Sequence, residues 1–346
     1  MRAFVMVEPR ARGARLIERA EPAIGPDHVL IRIEAAGICG TDLKVLEWAP
    51  NIAVRAGSRL PLTMGHEGAG VIHAVGSAVQ GLAPGDRVAP VSIHYCRQCR
   101  FCREGRSSIC DNRPTLGIER DGVFAEYLAV PADRVSRVGQ DVSLEAAALL
   151  DPIAVALQAF ERVSVGADDV VAIVGAGTIG LILALVARVY APKRLLLFGL
   201  QVDRDRLRLA NALGVEAVEA QDPAVARRVV DSVTHGYGAD VVFEAGGHPV
   251  AVQTAINLGR KGATVGLVGL AFGPTEIFTS QLVWAEKTLV AIRGFNQSCW
   301  DRALAYIGEG SLDLTPLVTH RLPLAEAERG FDLLERREAL KVILRP

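Results

Sequence analysis

The chain has 346 residues, half of them hydrophobic, and a formal net charge of −1. That length holds more than one hydrophobic core and points to two domains. Charges of both signs are mixed along it with no basic block, which argues against nucleic acid and anionic membrane as partners.

Roughly the first 150 residues read as β-rich. The opening MRAFVMVEPR has no apolar signal core and reads as a first strand, so a cytoplasmic protein is expected. VLIRIEAAG (29–37) and AGVIHAVG (69–76) are short apolar alternations between glycine and proline turns. Residues 51–58 read as a surface loop. Gly85-Asp86-Arg87-Val88 reads as a turn entering a strand, and FAEYLAVP (124–131) as another strand. Between these lie Cys96, Cys99, Cys102 and Cys110, a spacing that suits one tetrahedral zinc. Two disulfides are the alternative, but nothing else looks secreted. Four thiolates leave no open position, so this zinc would be structural. Arg97, Arg100, Arg103 and Arg106 would favour its negative charge.

The pattern changes near Ser143. SLEAAALLDPIAVALQAFERV is helical, with Pro152 near a helix start. Then VVAIVG, TIGLILALVARVY, RLLLFG and DRDRLRLANALG alternate strand and helix. DVVFEAGG, ATVGLVGL and TLVAIRG supply later strands, which together predict a parallel, doubly wound sheet. Residues 170–187 carry no charge and approach the length of a membrane span. Gly175, Gly177 and Gly180 inside that run make strand, turn and buried helix the better reading. Residues 301–346 hold amphipathic helices and a closing strand, LKVILRP. Cys299 is given no role.

Gly175-Ala176-Gly177-Thr178-Ile179-Gly180 is the G-x-G-x-x-G pattern, following a strand and opening a helix. Its glycines permit a tight turn and close approach of a pyrophosphate, and the helix N-terminus offers unpaired N–H groups. Cys39-Gly40-Thr41-Asp42 and Gly65-His66-Glu67 supply a thiol, an imidazole and a carboxylate, which suit a zinc with an open site. A buried thiol and a core histidine would explain either alone. Their company in one chain shifts the reading to a metal.

On these residues the chain resembles the zinc-containing medium-chain alcohol dehydrogenases. GHEGAGVIHAVGSAVQGLAPGDRV, the four-cysteine lobe and the glycine fingerprint follow in that family's order, from about residue 25 onward. ICGTDLKVLEW, GVFAEYLAVP, DPIAVALQA and HRLPLAEAERGFDLLERREALKVIL are similar to the L-threonine 3-dehydrogenase and sorbitol-like polyol dehydrogenase branch. The resemblance implies an α/β enzyme with a GroES-like domain at 1–153, a Rossmann domain at 154–290 and a segment at 291–346 completing the first, with the active site in the cleft. It implies a catalytic zinc on Cys39 and His66, with Glu67 binding directly or exchanging with substrate. Asp151 would be a ligand or hold the zinc-bound water, although a carboxylate at a helix start is often only an N-cap. Thr41 would pass the substrate proton towards the cofactor ribose. Cofactor contacts would fall at Gly175, Gly177, Thr178, Ile179 and Gly180, and further on at Val268, Gly269, Leu270 and Arg293. A homotetramer, or failing that a dimer, would pair through ATVGLVGL and TLVAIRG.

Two positions depart from the family pattern. The proton relay usually ends in a histidine where this chain has Lys44, whose ordinary pKa of about 10.4 makes it a poor acceptor. At the end of the second Rossmann strand, Gly199 replaces the carboxylate that holds the ribose in NAD-binding relatives. Arg204 and Arg206 follow it and suit a 2′-phosphate. In the competing reading Asp203 bends back to the ribose and both arginines are solvated. The balance tips towards NADP. The expected reaction is interconversion of a secondary alcohol and its ketone, with a polyol or sugar favoured over threonine. A non-enzymatic nucleotide-binding protein, or a zinc-free reductase, would have lost Cys39, His66 and Glu67.

Overall fold

The computed structural model describes residues 1–50, 54–55, 59–271 and 273–346, so the loop expected at 51–58 lies largely outside the described residues. Contacts divide the chain into two units, Met1–Asp151 with Asn296–Pro346, and Pro152–Phe295.

The first unit carries β1 (Arg2–Met6), β2 (Ala14–Glu18), β3 (His28–Gly37), β4 (Leu62–Thr63), β5 (Glu67–Val75), β6 (Arg87–Pro90), β7 (Tyr127–Pro131) and β8 (Val135–Arg137). β3 is the organising strand. It pairs antiparallel with β5 along most of its length, and with β7 near its start. Its far end meets a strand from late in the chain, as described below. Phe4, Ile31, Ile33, Met64, Phe124 and Phe331 pack the interior beneath. The expected strand at 124–131 is shorter than its apolar run. Phe124 instead drops into the core against Phe331, ring centroids 6.2 Å apart, while its N–H donates to Met64 O.

The helical stretch after Ser143 is two helices, Leu144–Ala148 and Leu150–Val163. The Ser143 hydroxyl caps the first by accepting the Ala146 N–H at 3.1 Å. Pro152 sits in the first turn of the second, where its missing N–H costs no hydrogen bond.

The second unit adds β9 (Val170–Val174), β10 (Arg194–Gly199), β11 (Glu216–Glu219), β12 (Ala239–Glu244), β13 (Gly259–Leu267) and β14 (Thr288–Ala291). Every pairing is parallel, in the order β11-β10-β9-β12-β13-β14. Every residue of β9 is buried, as a central strand covered on both faces requires, and this accounts for its unbroken apolar run. The uncharged segment at 170–187 is thus β9, the glycine turn and the start of helix Thr178–Tyr190. Among the described residues no helix is long and apolar enough to cross a membrane. The strand order reverses beside β9, the place where such sheets leave a ligand crevice at their carboxyl ends.

The chain then returns to the first unit with β15 (Val318–Pro323) and β16 (Lys341–Arg345). β16 runs antiparallel to β3, with Ile343 opposite Gly37 and Leu344 opposite Ala36.

Candidate functional site

Chain reversal at the end of β3 places Cys39 at the start of helix Gly40–Leu46, and β5 begins at Glu67 in register with Gly37. Sheet pairing therefore brings Cys39, His66 and Glu67 together, their ligand atoms within 4.8 Å of one another. Asp42, fully buried on the helix's first turn, organises the group. One of its oxygens accepts the Cys39 N–H at 2.9 Å and the other lies 2.9 Å from His66 Nδ1. That bond fixes the tautomer and leaves Nε2 for a metal, the usual carboxylate–histidine arrangement around zinc. Burial opposes charge on His66, but Asp42 and Cys39 prevail and hold its pKa well above the ordinary value. A cation bound at Nε2 in place of its proton would satisfy the same field.

Glu67 is 1% exposed and Lys341, on β16, 2%. Lys341 Nζ donates to Glu67 Oε2 and, at 3.1 Å, to Ile38 O. Burial works against charge on Lys341, and Glu67 with Cys39 and Asp42 together outweigh it, raising the ammonium pKa above its usual value. Glu67 Oε1 is buried without a hydrogen-bond partner, which fits a ligand oxygen waiting for a cation. Gly37 makes the close approach possible: a Cβ there would stand 2.4 Å from Glu67 Oε2.

Asp151 is buried and accepts from the Ser92 hydroxyl. Burial pushes its carboxyl pKa up. It belongs to neither metal-competent group among the described residues. Thr41 is half-buried beside Cys39. Lys44 is engaged with Glu47 Oε2 at 2.7 Å on the same helix.

The four-cysteine lobe closes on itself. Cys110 Sγ lies 3.5 Å from Cys96 Sγ and 3.8 Å from Cys99 Sγ. Those separations are far too long for disulfides. They match the edge of a zinc tetrahedron, about 3.8 Å for bonds of about 2.3 Å. The backbone N–H groups of Asp111 and Cys102 lower the Cys99 thiol to about 6, whereas burial and neighbouring thiols raise Cys102 to about 12. Four such thiols ionise together only around a cation. The lobe's arginines serve local structure: Arg97 pairs with Asp133, Arg100 with Glu104, and Arg103 donates to Gln98 O.

At the crevice of the second unit the three glycines have three different reasons. Gly175 has φ +114° and a Cβ there would meet Gly246 N at 2.6 Å; Gly177 opens onto free space; a Cβ on Gly180 would overlap Gly175 O at 1.8 Å. Tight turn, open approach and close helix–strand packing are the demands of a pyrophosphate site. Thr178 and Ile179 open the helix. Val268 and Gly269 donate their N–H groups to Glu244 O, each at 2.9 Å, while Leu270 and Arg293 are exposed.

Gly199 ends β10 against this turn, where a Cβ would meet Ala176 Cβ at 2.7 Å. Asp203 Oδ2 accepts the Leu200 N–H at 3.2 Å, and its Oδ1 lies 3.4 Å from Arg206 Nη1. Arg204 pairs with Glu219.

Sequence reasoning assigned no role to Ser92, Lys341, Glu219 or Glu244, and named Asp42 only within its motif. The signal for Lys341 was a lone charge at the head of an apolar strand.

Residues 25–140 match the alcohol dehydrogenase GroES-like domain and residues 178–309 the zinc-binding dehydrogenase domain. The L-threonine 3-dehydrogenase of Symbiobacterium thermophilum is 34% identical over 96% of this chain and 95% of its own length. The sorbitol dehydrogenase of Halalkalibacterium halodurans is 31% identical over 100% of this chain and 99% of its own length. A zinc-binding dehydrogenase from Sinorhizobium meliloti 1021, solved bound to NADP, superposes with a TM-score of 0.87 at 28% identity, covering 100% of this chain and 99% of its own. With the fold, both metal-competent groups and the glycine turn in place, the chain belongs to the zinc-containing medium-chain alcohol dehydrogenase family, and it is an enzyme.

Proposed function

We propose that the enzyme interconverts a secondary alcohol and its ketone using NAD(P), with L-threonine as the foremost candidate substrate. The observation that carries the reaction is the Cys39–His66–Glu67 group, half-buried at Cys39 and buried at His66 and Glu67, in a chain that also bears the pyrophosphate turn. Threonine displaces the polyol favoured from sequence because the threonine enzyme is the more similar relative, 34% identical against 31% for the sorbitol enzyme. The polyol reading keeps one support, Lys44 in place of the relay histidine.

Cys39, His66 and Glu67 would hold one zinc and the four cysteines a second. A bound catalytic zinc supplies a Lewis acid that lowers the pKa of a substrate hydroxyl. Asp42 orients His66 for it, and Asp151, fixed by Ser92, places a second carboxylate close by. Thr41 Oγ1 would accept the alcohol proton. Lys44, paired with Glu47, is the departure point to solvent only if that pair opens. The first unit is the catalytic domain and the second binds the dinucleotide, with NADP favoured by the missing carboxylate at Gly199. No disulfide joins any of the six cysteines among the described residues, which is in keeping with a reducing, cytoplasmic setting.

The test is a panel of L-threonine, sorbitol and butane-2,3-diol, each with NAD and NADP. Reduction of neither cofactor by any of them, in protein carrying two zincs per chain, would sink the reading. Threonine turnover well above that of sorbitol and of butane-2,3-diol is the expected result.

Assembly into dimers, or tetramers built from them, would use β14. It is the last strand of its sheet, and Phe278, Val283 and Trp284 just before it are 63%, 76% and 85% exposed. An unpaired edge beside large apolar side chains is a liability unless covered. Light scattering should find at least a dimer at micromolar concentration, and Trp284→Asp with Val283→Asp should yield folded monomer. A monomeric wild type contradicts this.

A further inference from the structure

The strand that ends at Gly199 has a neighbour with a charge to offer. In the parallel register of β10 and β11, Gly199 stands opposite Glu219, and Gly199 O accepts the Ala220 N–H at 2.8 Å. Glu219 therefore lies beside the position where the ribose-binding carboxylate is missing. Its side chain holds Arg204, the first residue of helix Arg204–Ala212: Nε lies 2.6 Å from Oε2 and Nη2 3.2 Å from Oε1. Two N–H groups of one guanidinium on two oxygens of one anion is also the fork by which arginine grips a phosphate. Glu219 thus occupies the face of Arg204 that a 2′-phosphate would require.

The other charges nearby are committed. Asp203 closes the turn at Leu200 and pairs with Arg206, and their side chains are only 8% and 16% exposed. Arg204 and Glu219, at 55% and 35%, form a solvated pair that opens at little cost. Gly199 itself cannot regain a carboxylate cheaply, since any Cβ there collides with the Ala176 side chain of the pyrophosphate turn.

We infer that the Arg204–Glu219 pair sets the NAD/NADP preference by mutual masking. The inference rests on the dinucleotide reading of the Gly175 turn. While the pair is closed, the adenosine end of the cofactor meets a neutral edge, and discrimination is small. Freed from Glu219, Arg204 favours the 2′-phosphate. Freed from Arg204, Glu219 repels it. Removing one partner or the other must therefore move the preference in opposite directions, which a general loss of surface structure would not do.

The test is fluorescence titration of the zinc-loaded enzyme with NADH and with NADPH, which reads binding independently of turnover. Glu219→Gln should tighten NADPH about tenfold with NADH little changed, the low end for a charged hydrogen bond. That gain should shrink as salt is added. Arg204→Gln should weaken NADPH by a similar factor. Asp205→Asn removes a charge from the same helix, where Asp205 pairs only with Arg208 among the described residues, and should leave the ratio within about twofold. Variants at 204 and 219 that shift the ratio in the same direction, or not at all, overturn the inference while wild-type binding upholds the dinucleotide site. A wild type that binds neither NADH nor NADPH brings down both.

Discussion

Replacing Cys39 with serine is expected to abolish turnover while leaving the fold and the denaturation midpoint close to wild type. Metal analysis should show one zinc per chain instead of two. Cys39 is a thiol at a helix start whose backbone, not its sulfur, carries the local structure: its N–H is held by Asp42 and its O accepts the Asp42 N–H. Serine preserves both bonds and removes only the soft ligand that zinc prefers. Cys99→Ser should behave in the opposite way. It would open a closed four-thiol site whose bound metal would contribute to folding, so stability or solubility should fall with the loss of that zinc. Residual turnover in Cys39→Ser near the wild-type level, or a Cys99→Ser protein as stable as wild type, would show that the two groups do not divide catalysis and structure in this way.

Lys341→Met should lower stability by about 3–5 kcal/mol, the cost of stripping one partner from a buried ion pair. Glu67, whose side chain is 0% exposed, would lose its ammonium partner and keep as a nearby positive charge the His66 imidazolium, which Asp42 already engages. The Ile38 carbonyl would lose its ammonium donor as well. Glu67→Gln in the same background removes the stranded charge, and the double variant should recover most of the loss. Buried pairs replaced whole by neutral groups of similar volume are often nearly as stable. The cycle is read from urea denaturation of the zinc-free proteins, so that metal affinity does not enter the comparison. Additive losses would mean that the two side chains are not coupled, against the geometry.

What was legible in the sequence is what is local. The glycine turn could be read because its three glycines fall at a fixed short spacing between a strand and a helix start, which has a recognisable grammar. The four cysteines could be read because fifteen consecutive residues contain the whole lobe. His66 and Cys39 could be paired only from the company of the cysteine cluster and the dinucleotide pattern and from family resemblance, since the strand register that joins them is not written in either motif. Lys341 was out of reach, being 274 residues from Glu67 and linked to it only by the pairing of β16 with β3. Glu219 was hidden for a similar reason. Its meeting with Arg204 depends on the register of two parallel strands, and alone it is one more charge near a strand end. Phe124 looked like part of a strand because apolar alternation does not distinguish a sheet position from a side chain turned into a core.

The order in which the ribosome delivers these pieces follows from the discontinuous first unit. Residues 152–295 form one uninterrupted unit and emerge with every strand of their parallel sheet in hand. The first unit, although begun first, lacks β16 until residues 341–345 have been translated. Until then Glu67 has no ammonium beside it, and the end of β3 has no strand along that edge. In order of synthesis the strands of the second unit are therefore all present while the sheet of the first still lacks β16. On the reading that Cys39, His66 and Glu67 hold a metal, its secure loading would wait for β16, and a chain stalled before residue 341 would lack that strand.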